Sequence, residues 1–132
     1  MFDLQVAEEI LDRIRERNEP YHPHAYLFIL GALEYCQGHR AVRGHLAGGE
    51  LAWACRDYAR AQFGLTAPTV LRHWGVESTE DIGRIVYTLI DAGLLISQPD
   101  DRLKDFDGVF EFDKAFELEY PWLGVNRSDG GT

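Results

Sequence analysis

Cysteine is scarce in this sequence, and long apolar runs are missing. Only two cysteines, Cys36 and Cys55, occur in 132 residues. That is too few for the disulfide framework of a small secreted fold. Both fall on apolar helical faces, where a free thiol behaves as a small hydrophobe. The longest apolar stretch, Ala25 to Leu33, is nine residues and contains Gly31, whereas a membrane-spanning helix takes about twenty. The opening residues MFDLQVAEEI have neither the basic nor the apolar region of a signal peptide. There is no Walker loop, no Rossmann glycine pattern and no nucleophile elbow, which leaves covalent catalysis and nucleotide binding without an anchor. Lysine is rare too: of thirteen cations only Lys104 and Lys114 are lysines, and the arginines are scattered rather than clustered as bidentate anion recognition requires. These absences set the expectation of a cytoplasmic protein with no membrane contact.

What is present is the composition of a globular domain, 45% hydrophobic and 27% charged. One domain over residues 1–124 and a disordered tail over 125–132 are expected. Its length is enough to bury a core without help from a metal or a disulfide.

The periodicity predicts a mainly α fold of about five helices plus one short β-hairpin. A first helix covers about Leu4 to Arg17, with Leu4, Ala7, Ile10, Leu11 and Ile14 on one face. The second opens at His22-Pro23 and is apolar on almost every face to Gly38, which marks it as the central helix. A loop spans His39 to Gly49, and a third helix covers about Glu50 to Gln62. Thr66 is read as the cap of a short fourth helix, Ala67 to Trp74. Ser78, with Asp81 three residues on, starts a fifth helix whose stripe is Ile82, Ile85, Val86, Leu89 and Ile90. Leu94-Leu95-Ile96 and Val109-Phe110-Glu111-Phe112 are read as strands around a polar loop. Helix, short helix, turn, helix and hairpin over residues 50–112 is the order of a winged helix, with residues 97–108 as the wing.

The segments GHLAGGELAWACRDYARAQFG, TAPTVLRHWGV, TEDIGRIVYTLIDAGLL and DDRLKDFDGVFEFDKAF carry a resemblance. Over roughly residues 4–117 the chain resembles a bacterial family reported mostly from planctomycetes and verrucomicrobia. The matching positions include Tyr26, His45, Gly48, Glu50, Thr69, Trp74, Gly75, Asp81, Gly83, Gly93, Asp105, Phe106, Phe110, Phe112 and Phe116. The chain departs from the pattern at Gly44, where a basic residue precedes the histidine. The family has no assigned activity, so the resemblance implies no mechanism.

Charge decides among the functions a winged helix suggests. The net charge is −9, and it is uneven: residues 1–64 hold nine acids and seven bases, residues 65–132 thirteen acids and six bases. The outward face of the fifth helix offers Glu80, Asp81, Arg84, Tyr87, Thr88 and Asp91. The wing offers Asp100, Asp101, Asp105 and Asp107 against Arg102 and Lys104. A recognition element of that sign is repelled by phosphates, which argues against nucleic acid at the wing. Cys36, His39, His45 and Cys55 lack zinc-finger spacing, and Asp105-Phe106-Asp107-Gly108 lacks the remaining ligands of a calcium loop. No metal or other cofactor is therefore expected.

The leading expectation is a non-catalytic protein–protein interaction domain whose acidic surface meets a partner with a basic one. Its candidate binding residues are His45, Glu50, Trp74, Asp81, Arg84, Asp100, Asp101 and Asp105. The alternative is a DNA- or RNA-associated regulator acting through Arg40, Arg43, Arg56, Arg60 and Arg72. A third reading is a small enzyme with an acid–base site near His45 and Glu50.

Overall fold

In the computed structural model, residues 4–16, 20–39, 48–95, 99 and 101–117 are described. They form six α-helices: α1 (Leu4–Glu16), α2 (Pro23–His39), α3 (Gly48–Phe63), α4 (Ala67–His73), α5 (Thr79–Asp91) and α6 (Phe112–Glu117). Two short 3-10 turns lie at Gly64–Thr66 and Leu103–Phe106. The mainly helical class is as the periodicity predicts. No described helix is long and apolar enough to cross a membrane.

Helix α2 is the centre, as its all-round apolar sequence requires. Ala25, Tyr26, Phe28, Ile29, Leu30, Ala32 and Cys36 are all buried. It packs against α3, α1 and α5. Leu30 of α2 shares one continuous core with Val86 and Leu89 of α5. From α1, Ile10 and Ile14 enter the same core.

Helix α5 forms as its sequence signals dictate. Ser78 is extended, and its hydroxyl accepts the Asp81 amide at 3.3 Å. Asp81 reaches back to accept the Glu77 amide at 2.9 Å, so the reciprocal cap is one residue wider than the usual box. The helix ends at Gly93, whose φ of 79° a side chain rarely adopts. Thr66, by contrast, does not cap α4: its hydroxyl donates to the Phe63 carbonyl at 2.7 Å and closes the preceding turn.

The β-hairpin is a correction. Among the described residues there is no strand. Leu94 and Leu95 lie in a turn that folds back on Leu89, and Phe112 starts α6. Ile96, Ser97, Gln98 and Asp100 lie outside the described residues, and the described part of the polar loop shows no strand pairing. It forms the 103–106 turn, which packs against both α5 and α3. The short apolar run Val109-Phe110-Glu111-Phe112 suggests a strand, but Phe112 and Phe116 sit four apart on α6 with their rings 5.6 Å apart. Helical spacing prevails because each aromatic ring finds a partner that way.

Phe106, 3% exposed, anchors that loop. It sits against two glycines. A Cβ on Gly83 of α5 would lie 2.8 Å from the Phe106 Cβ and Cγ atoms, and one on Gly48 of α3 would lie 2.9 Å from the Asp105 Cβ. Both approaches are closer than real Cβ contacts allow, so the sequence needs glycine at both sites. Gly49, also in α3, has open space instead. Gly83→Ala is expected to lower stability by about 1–3 kcal/mol from overpacking, outweighing a helix-propensity gain of about 1 kcal/mol. Gly49→Ala should leave stability unchanged or raise it. Urea denaturation checks both, and equal effects would contradict the close approach.

Candidate functional site

Helix α5 and the 101–109 segment form one acidic face, locked together from inside. Thr79, fully buried, donates from Oγ1 to the Phe106 carbonyl at 2.5 Å. The same oxygen accepts the Val109 amide at 3.2 Å. The Gly108 amide donates to Glu80 Oε2 at 3.3 Å. Arg102 and Asp105 complete the turn, since Asp105 Oδ2 accepts the Arg102 amide at 3.0 Å. The acids of the loop are thus presented by a fixed backbone.

Asp81 lies at one end of this face. Its Oδ1 accepts Tyr21 Oη at 2.6 Å and Arg84 Nη1 at 2.7 Å, and its Oδ2 accepts the Glu77 amide and the Ser78 hydroxyl. Burial pulls this carboxyl upward. The Tyr21 hydroxyl, the Glu77 amide, the Ser78 hydroxyl and Arg84 more than reverse that, and it stays below the ordinary carboxylate value. A fully engaged, ionised carboxylate anchors structure and has no free lone pair for general base work. Tyr21, the strap to the α1–α2 junction, is pushed up, first by burial and then by its bond to Asp81.

The other predicted residues are dispersed. Asp101 and Asp105 lie close enough to Tyr87 to raise its phenol, after burial as the larger cause. Glu50 is half-buried in the first turn of α3, which complements the helix dipole. His45 and Asp100 lie outside the described residues, so the acid–base pairing of His45 with Glu50 has no described geometry. Trp74 belongs to a different surface: it packs with Phe28, Phe63 and His22.

The arginine alternative loses a member. Arg56 is 2% exposed, with Nε donating to Asp57 at 2.8 Å, Nη1 donating to the Ala115 carbonyl at 2.9 Å, and the guanidinium carbon 5.1 Å from the Trp53 ring centre. It is an interior residue. Arg72, exposed, pairs with Asp113. Arg40 and Arg43 lie outside the described residues. The buried Cys55 thiol is pushed far above its ordinary range by desolvation and by Cys36, which makes it inert as a nucleophile.

Sequence reasoning missed Tyr21, Thr79, Arg56 with Asp57, and a histidine group at the start of α2. His22 Nδ1 accepts the His24 amide at 3.1 Å and so caps α2. The His22 and His24 rings stack at 5.0 Å, and His73 lies 6.3 Å from His22. No pattern in the sequence joins residues 22 and 73. The contact follows from the His22 amide donating to the Trp74 carbonyl at 3.1 Å.

No family model, no curated protein and no solved structure matches the chain.

His22 titrates below the usual 6.5 because of partial desolvation and then the charges of His24, His73 and Arg15. A lowered histidine means the unfolded chain takes up the proton first. The cap's contribution is therefore complete above the unfolded value and is lost as pH falls through about 6.5 towards the folded one. The melting temperature is expected to fall between about pH 7.5 and 5.5, and His22→Asn, which caps without titrating, should fall less. A variant as pH-sensitive as the wild type would assign the dependence to other groups.

Proposed function

We propose that the chain is a non-catalytic interaction domain of the cytoplasm whose acidic face docks on a basic protein surface. The observation that carries this is the set of hydrogen bonds that ties the 101–109 segment to α5 and presents the acids of both. Residues 77–91 and 101–109 together hold seven acids (Glu77, Glu80, Asp81, Asp91, Asp101, Asp105 and Asp107) and three bases (Arg84, Arg102 and Lys104), a balance of −4. Such a field steers in a basic partner and keeps nucleic acid away. The burial of Arg56 supports this reading over the arginine-mediated one, because a contiguous basic patch over the five arginines would have to include an interior residue. The succession α3, α4, α5 supports a winged-helix-like relationship in which a docked 3-10 turn replaces the wing, consistent with the family resemblance on Trp74, Gly75, Asp81 and Phe106.

The acids to remove are those without a structural bond. Asp105 holds the turn by its own hydrogen bond, so replacing it tests folding as well as docking. Asp107 is exposed, and it, with Glu77, can be neutralised at a cost under about 0.5 kcal/mol each. A Glu77→Gln, Asp107→Asn variant is expected to keep the wild-type melting temperature and lose a basic partner captured from native lysate. That capture should weaken with rising salt. Unchanged capture by the variant, or tight wild-type binding to duplex DNA at about 0.15 M salt, would contradict the reading.

A further inference from the structure

The histidine group at the start of α2 is not used by the docking face, and its geometry is that of a chelate. His22 Nδ1 and His24 Nδ1 are 3.3 Å apart. Two imidazole nitrogens each 2.0–2.1 Å from one cation at a tetrahedral angle lie about 3.3–3.4 Å apart. Pro23 between them fixes the backbone turn that sets this bite. His22 Nδ1 accepts the His24 amide, so it carries no proton and offers a lone pair on the side of His24 Nδ1. Both histidines and His73 are exposed, which leaves the remaining coordination positions open to solvent.

We propose that His22 and His24 bind a borderline divalent cation of the zinc, nickel or copper class, with His73 as a third ligand. The metal sits between the two Nδ1 atoms. Two metal–nitrogen bonds form, the hydrogen bond from the His24 amide to His22 Nδ1 breaks, and the ring proton of each neutral histidine sits on Nε2. Among the described residues no group of three or more ligating side chains already surrounds one point. His73 therefore joins by a change of rotamer. The anchoring of the His22 amide on the Trp74 carbonyl keeps it near enough to do so. Imidazole nitrogens suit these cations and do not suit magnesium or calcium, which take oxygen. The groups whose charge reaches His22 are His24, His73 and Arg15, with no carboxylate among them. An anion is a poorer fit: Pro23 has no amide proton, and the His24 and Ala25 amides are already taken by His22.

The test is calorimetric titration of the full chain with zinc chloride at about pH 7.5. One zinc per chain is expected, weakened at least ~10-fold in His24→Ala and measurably in His73→Ala. His22→Asn keeps the helix cap and removes the ligand, so it should weaken zinc while retaining the wild-type melting temperature. In proton–nitrogen spectra, zinc should move the ring signals of residues 22, 24 and 73 together. Zinc binding that survives His24→Ala, ring signals that stay in place, or magnesium binding as tightly as zinc would each overturn the proposal.

Discussion

A guanidinium withdrawn from water is the constraint on which the 101–117 segment depends. Arg56 and Asp57 are consecutive on α3, and both are buried, at 2% and 3% exposure. Desolvating each charge costs several kcal/mol unless partners replace the lost water. For Arg56 the replacement comes from Asp57 and from the Ala115 carbonyl, one of the orphan acceptors at the end of α6. Trp53 covers the guanidinium face and meets Phe110 at 4.6 Å, and Phe110, Phe112 and Phe116 continue the row. The C-terminal segment is therefore the lid on a buried ion pair. With that lid in place, Phe106 reaches its seat against Gly48 and Gly83, and the acidic loop is fixed on α5.

This arrangement links fold to surface chemistry. A mobile acidic loop would contribute charge and little else, whereas one tied by Thr79, Glu80 and its own turn presents its acids at fixed positions. Fixed positions reduce the ordering cost of association. The aromatic and histidine surface around Trp74 lies at the start of α2, joined to the acidic face through Tyr21 and Asp81. The metal binding proposed at one and the docking proposed at the other draw on separate side chains.

The sequence made the helices legible where the pattern was local. Ser78 and Asp81 declare the start of α5, Gly93 its end, and the unbroken apolar character of α2 its central place. The hairpin expected from the sequence does not form, because a short apolar run beside a polar loop reads alike as a strand and as the approach to a helix. What decides between them is Trp53, more than fifty residues away in sequence. Likewise the sequence offers Arg56 as one of five arginines open to nucleic acid, and only the covering segment makes it and Asp57 interior. Tyr21 meets Asp81 across sixty residues, and no spacing rule announces such a pair. Of the candidate site, Asp81 with Arg84 and the acids of the loop were legible through charge. The bonds that fix them were not, because they run from buried Thr79 to backbone atoms.

The most direct measurement is native-state hydrogen exchange in Arg56→Met, which keeps an apolar stem and removes the charge. Losing one partner of a buried pair costs about 3–5 kcal/mol, drawn mostly from the segment that covers it. The amides of Val109 and of Phe112 to Glu117 are expected to lose at least ~10-fold protection relative to those of α2. If they remain as protected as in the wild type relative to α2, Arg56 does not hold the C-terminal segment, and the account of the fixed acidic face fails with it.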